Sequence, residues 1–274
     1  MRCARSIALG AITLAALAWC LAPALWQLVT SLKPEAELYL APPSWLPAAP
    51  TLAHYRAVLA EGLFLRSLRN SALIAGGATA IALGLGAPAA FALARLRPRG
   101  ARAMLGFFLA AAVFPAIAMV SPLFSLFGRL GILNTYGAVI LSHAAFALPL
   151  TVWILTAYLQ ELPPELEEAA QMDGASRAGA FLRVLLPAAA PSLATAGLLA
   201  FIFSWNEFLF ALTFAGAERL MPASVAIALF PGLHDFPWGE IAAASLIVTL
   251  PPVLAVVVAQ RRIVAGLTAG SLSN

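Results

Sequence analysis

The chain has 274 residues, 62% of them hydrophobic and 10% charged, with a mean hydropathy of +0.92 and a formal net charge of +4. A soluble domain is roughly 45–50% apolar; no soluble core hides this much apolar surface, and the apolar residues fall in long blocks rather than in the short alternating segments of an outer-membrane barrel. The basic residues are scattered between those blocks, which argues against a nucleic-acid-binding face, and Cys3 and Cys20 have neither metal-ligand spacing nor a plausible disulfide partner.

Six stretches reach the roughly 20 apolar residues that a helix needs to cross a bilayer, approximately 6–30, 71–94, 103–127, 136–159, 193–214 and 241–259. The chain is therefore predicted to be an all-α integral membrane protein with six transmembrane helices. Only the fifth stretch holds an Asp, Glu, Lys or Arg, namely Glu207. The first follows Arg2 and Arg5 as a signal peptide would. Its uncharged run of 25 residues exceeds the 7–15 of a signal sequence, and it reads as a retained signal-anchor helix.

Lys and Arg in the connections set the orientation. Ten lie on one side: Arg2, Arg5, Arg95, Arg97, Arg99, Arg102, Arg177, Arg183, Arg261 and Arg262. Six, including Lys33, lie on the other, in longer connections. Both termini are expected to be cytoplasmic in a multi-pass inner-membrane protein, with the cluster from Arg95 to Arg102 as the firmest anchor. Pro88, Pro115, Pro122, Pro149, Pro251 and Pro252 lie inside spans and read as kinks, which membrane helices tolerate where neighbours satisfy the freed carbonyls. Gly76, Gly77, Gly84 and Gly86 predict close helix approach in the second span.

Two connections stand out. The apolar stretch 220–233 is too short to cross and fits a re-entrant or interfacial segment on the outer side. The connection 160–192 carries Pro163 and Pro164 at a helix start, with Glu165, Glu167 and Glu168 at the positive end of the dipole and Gly174 placed to end the helix. Leu166, Ala169, Ala170 and Asp173 share a face thin enough to enter another protein's groove. A second helix over 175–186 is predicted to touch the membrane through Phe181, Leu182, Val184 and Leu185 before Pro187 stops it. An ordinary amphipathic linker is the alternative reading.

The spacing bears on that choice. Glu168, Ala169 and Ala170, then Gly174 after three residues, then Val184, Leu186 and Pro187, resembles the EAA signature of ABC importer permeases, with Val where Ile is usual. LGILNTY (130–136), SWNEFLFAL (204–212) and QRRIVAGLTAG (260–270) look like segments of the carbohydrate-uptake branch, on its MalG-like side, and the likeness runs from roughly residue 66 to residue 270. The tail 271–274 lacks the family's usual final Lys. The resemblance implies a type I ABC importer permease fold: an N-terminal helix and external connection (1–65), a permease core (66–260) with coupling loop 160–192, and a cytoplasmic tail (261–274). It also implies that Glu168, Ala169, Ala170, Asp173, Gly174, Leu186 and Pro187 form an ATPase-coupling loop. The implied partners are a second permease subunit, two ATP-binding subunits that hold ATP and Mg, and an extracytoplasmic solute-binding protein, in contact with membrane lipid and without nucleic acid.

The chain itself shows no enzyme. Its only lysine, Lys33, is followed by Pro34 and cannot complete a phosphate-binding loop, and three isolated histidines form no metal motif, so no cofactor is assigned to this chain. Glu207 is costly inside a membrane, about 2.5–3.5 kcal/mol on insertion scales, so it faces a cavity or a partner. With Trp205 and Asn206 it is a candidate for the translocation pathway or gate; locking helices together is the alternative. His143 reads as a histidine satisfied by a neighbouring helix. The absence of Lys and Arg from the six spans favours a neutral sugar or oligosaccharide over glycerol phosphate or another polar solute. A stand-alone six-helix channel or secondary transporter would call for inverted repeats and further ionisable residues.

Overall fold

The structure is a computed structural model that describes residues 2–230 and 236–271. Residues 231–233 of the apolar connection and 272–274 of the tail lie outside the described residues, as do the side chains of Arg2, Arg5, Arg261 and Arg262. Every regular element described is helical, because backbone N–H and C=O groups at membrane depth find partners only within their own segment. In chain order the α-helices are α1 (Arg2–Leu32), α2 (Glu35–Leu38), α3 (Ala53–Ala60), α4 (Gly62–Phe91), α5 (Ala101–Ala112), α6 (Ala116–Arg129), α7 (Tyr136–Glu161), α8 (Glu165–Met172), α9 (Arg177–Ala180), α10 (Leu186–Ala188), α11 (Ala190–Asn206), α12 (Leu209–Phe214), α13 (Ala223–Ala228) and α14 (Trp238–Ser271). Among the described residues four helical segments are long and apolar enough to cross a membrane, and the number rises to six if each of two bent pairs is one broken span.

The chain forms two compact units, one of residues up to 65 with 226–250, the other of 66–225 with the remainder. In the first, the most apolar stretch of α1 has no buried residue, and Trp19 is 84% exposed. Such a surface is stable only against lipid or another chain. The exit of α1 is fastened by Lys33, which is buried rather than solvated. Its Nζ donates to the Ser44 carbonyl at 2.5 Å and stands 4.7 Å above the Trp26 ring, which meets Trp45 edge-on. Ser31 and Tyr55 share a 2.7 Å hydrogen bond, and His54 Nε2 lies 2.9 Å from the Lys33 carbonyl. The His54 ring packs so closely on Gly239 that any Cβ there would collide with it.

In the second unit α4 and α7 run side by side and parallel. Tyr136 donates to Asn70 Oδ1 at one end (2.7 Å), and Arg95 donates to the Leu162 carbonyl at the other (2.6 Å). The 25 residues from Asn70 to Arg95 span about 38 Å at 1.5 Å per residue, enough to cross the hydrocarbon layer. Small residues allow the approach: Ala75, Ala78, Ala82, Ala90 and Ala94 are wholly buried, and a Cβ on Gly86 would lie 2.8 Å from Thr151 Cγ2. Gly77 faces Ile140 in the same way, whereas Gly76 and Gly84 face open space, so only half of the predicted glycine face is at the seam.

Four expectations about individual helices are corrected. The third span is not one rod: α5 and α6 meet at 94° through Val113 to Pro115, where proline withholds the N–H that would continue the first helix. The fifth span stops at Asn206, passes through an extended Glu207 (φ −68°, ψ 132°) and resumes as α12. Pro187 does not end the preceding helix. It sits in the first turn of α10, where its missing N–H is harmless, and the 76° bend follows at Ala189. Of the four residues predicted to touch the membrane there, Phe181 and Leu185 turn inward, with Phe181 stacked on Phe91 at 4.6 Å, while Leu182 is 58% exposed. A π-helical turn over Phe181–Leu185 rotates the face in this way.

Candidate functional site

The loop helix α8 is built from its ends. Pro164 precedes it, Glu165, Glu167 and Glu168 fill its first turn, and Gly174 follows its last with φ +87°. The Gly174 N–H donates to the Gln171 carbonyl and the Ala175 N–H to the Ala170 carbonyl, both at 3.0 Å. This is the Schellman pattern, which satisfies the last carbonyls and requires a left-handed residue. Ser176 restarts the chain by accepting from the Gly179 N–H at 3.1 Å. The helix rests on the Phe181–Leu185 turn with Ala170 buried, while Glu168, Ala169, Asp173 and Pro187 are exposed and Leu186 is half-buried. Leu166 and Met172 are exposed too, Met172 at 84%. The predicted common face is thus divided: Ala170 seats the helix, and Leu166, Ala169 and Asp173 point away from it.

The second set of candidates lies at the break in the fifth span. Glu207 turns its carboxylate onto the restarted helix, accepting from the Phe210 N–H (2.9 and 3.1 Å) and the Ala211 N–H (3.1 Å) as a helix cap. Its Oε2 also lies 2.8 Å from Nε2 of His143, which is 1% exposed on α7. The other ring nitrogen of His143 lies 2.7 Å from Ser204 Oγ on α11. Ser224 Oγ donates to the Glu207 carbonyl at 2.8 Å. Glu207 therefore faces a partner: its side chain joins α7 to α12, its backbone carbonyl holds Ser224, and His143 carries the link on to Ser204 of α11. Trp205 is buried and packs on Phe201 at 5.5 Å, while Asn206 is exposed and donates to the Ile202 carbonyl at 2.8 Å. The three neighbours thus have different surroundings, Trp205 in the interior, Asn206 at the surface and Glu207 against His143.

Sequence reasoning left His143, Ser204, Ser224 and Asn70 outside the site. Asn70 donates to the carbonyls of Arg219 and Met221, each at 3.0 Å, and Ser71 accepts from the Ala223 N–H at 2.8 Å, so the segment that ends the apolar connection's first half is tied down on α4. The one available signal was that ionisable residues inside membranes pair with one another, which singles out His143 and Glu207 together. No group of three or more His, Cys, Asp or Glu able to hold a metal occurs among the described residues.

Four apolar spans and two bent apolar pairs, with the polar junction at Glu207 buried among them, make this a helical membrane protein. The chain belongs to the family of binding-protein-dependent transport system inner membrane components, whose model matches residues 82–268. It is 42% identical, over 93% of both chains, to the trehalose transport system permease protein SugB of Mycobacterium tuberculosis. It is 39% identical to the trehalose/maltose transport system permease protein MalG of Thermococcus litoralis, over 97% of this chain and 95% of that one. Among solved structures, a bacterial ABC transporter involved in the import of the acidic polysaccharide alginate superposes with a TM-score of 0.81 at 24% identity, over 95% of this chain and 98% of that one. The fold is that of a type I ABC importer permease.

Proposed function

We propose that this permease subunit serves an ATP-driven, binding-protein-dependent importer of a neutral sugar or oligosaccharide, with both termini in the cytoplasm. In this reading a second permease subunit completes the bundle and two ATP-binding subunits hold ATP and Mg. A solute-binding protein delivers cargo on the outer side. The observation that carries the reading is α8, an acidic helix with exposed Leu166, Ala169 and Met172, locked at its end by Gly174 and seated on the bundle through Ala170. A helix held in this way transmits a push from a partner to the spans on either side. The names of the trehalose and trehalose/maltose relatives support a sugar, as does the absence of Lys and Arg from the predicted spans. Trp205, Asn206 and Glu207 are proposed to act at the pathway through the helix break, with Glu207 positioning the break.

Gentle solubilisation of the tagged chain, expressed with its genomic neighbours, tests the assembly. The native chain is expected to bring down an ATPase and a second permease, and the Gly174→Asp variant to lose the ATPase while keeping the permease. Open space surrounds a side chain at position 174, and the left-handed backbone costs about 1–2 kcal/mol, so the variant folds. Purification of the native chain as a stable homo-oligomer would overturn the reading.

A further inference from the structure

Two arginines of the 95–102 cluster, Arg97 and Arg102, line a cavity. At the Arg95 end of the bundle, between the π-helical turn that follows α4 (Ala92–Leu96), the last turns of α7 and the start of α5, lies a space of about 740 Å³. Arg97, Gly100, Arg102, Leu105, Thr156 and Gln160 line it, and no acidic residue does. Four features converge there. Arg97 is held in the left-handed region (φ 45°), with its N–H donating to the Ala92 carbonyl and its Nε to the Ala94 carbonyl, which fixes the base of a cationic arm. Arg102 supplies a second cation from the first turn of α5. That twelve-residue helix starts from Gly100, which has no side chain to cap it; the Ala101 N–H donates to the Pro98 carbonyl, and beyond that bond the positive end of the helix meets the cavity without a side-chain cap. Thr156, 1% exposed on α7, has a hydroxyl without a hydrogen-bond partner. A buried, unpaired hydroxyl is destabilising, and a ligand oxygen would relieve it.

We infer that this cavity binds a phosphate group, carried either by an anionic phospholipid headgroup or by a free phosphate anion. Two guanidinium groups, a helix N-terminus and a hydroxyl donor match a tetrahedral oxyanion, and each acts by charge-assisted or dipolar hydrogen bonding. Apolar surface continues from the cavity along α5, where no residue is buried and Met104 and Phe107 are 50% and 72% exposed. An acyl chain attached to the phosphate would lie along it. Because Arg95 ties the same helix end to Leu162, at the entry to the loop that carries α8, the ligand would brace the base of that loop. The site does not depend on the transport reading, since it requires only that this end of the bundle meet an interface.

The test is native mass spectrometry of the detergent-purified full chain, titrated separately with phosphatidylglycerol, phosphatidylcholine and inorganic phosphate. Phosphatidylglycerol is expected to bind in preference to phosphatidylcholine. The R97Q/R102Q double variant should bind it about thirtyfold more weakly, from roughly fivefold per arginine beside an anionic headgroup. Thr156→Val, which keeps the shape and removes the hydroxyl, should weaken binding while thermal unfolding shows an intact fold. Arg129→Gln, on the exposed end of α6, should bind as the native chain does. Competition by inorganic phosphate assigns the site to phosphate from either source, and its failure to compete assigns it to lipid. Equal binding of the two lipids without phosphate binding, or unchanged binding in both cavity variants, overturns the inference.

Discussion

At the scale of single residues, Glu207 shows how a costly group is accommodated in a membrane helix bundle. Its carboxylate accepts two backbone N–H groups and faces His143, which is itself 1% exposed. Truncation removes the cap and leaves His143 without its partner, whereas a glutamine oxygen still accepts from Phe210 and Ala211. Glu207→Ala is therefore expected to destabilise the purified protein by about 3 kcal/mol and Glu207→Gln by distinctly less, read by thermal unfolding in detergent. Equal losses would mean that the cap contributes nothing. The sequence made the expense of Glu207 legible, because an acid stood alone in an apolar stretch. Its partner was not legible, since His143 lies 64 positions away and joins Glu207 only through the packing of α7 on α11 and α12. Lys33 carries the same lesson: in the sequence it is a charge in a connection, and in the fold it is buried over Trp26.

At the scale of elements, hydropathy located the crossings because length and composition suffice for that. It did not locate the breaks. Pro88, Pro122 and Pro149 sit inside continuous helices, while Pro115 follows a 94° bend, and nothing local in the pattern separates them. The difference lies in whether neighbouring helices hold the freed carbonyls in line. Glycine has the same ambiguity, and the structure resolves it into a measurable contrast. Gly84 faces open space, so Gly84→Ala is expected to be neutral or to stabilise by up to about 1 kcal/mol through helix propensity. Gly86→Ala places a methyl 2.8 Å from Thr151, a stiff side chain in a closed seam, and is expected to destabilise. Matched unfolding temperatures for the two variants would show that the α4–α7 seam yields to an added methyl.

At the scale of the whole molecule, the division of labour follows from which helices are covered. In their most apolar stretches α7 is 56% buried and α4 44%, whereas the last span is 17% buried and the first not at all. The well-covered helices meet at the seam between Asn70 and Arg95, and the bare ones present apolar surface that only lipid or a second subunit can cover. That arrangement suits a subunit of a larger assembly, and in the proposed function α8 is the element through which force enters it. The most direct measurement reconstitutes the chain with its co-purifying partners in vesicles and follows uptake of a labelled disaccharide with ATP and the binding protein supplied or withheld. Uptake is expected only when both are present, and is expected to be lost in the Gly174→Asp variant. Uptake that proceeds without ATP or an ATPase subunit, driven by an ion or solute gradient alone, would contradict it.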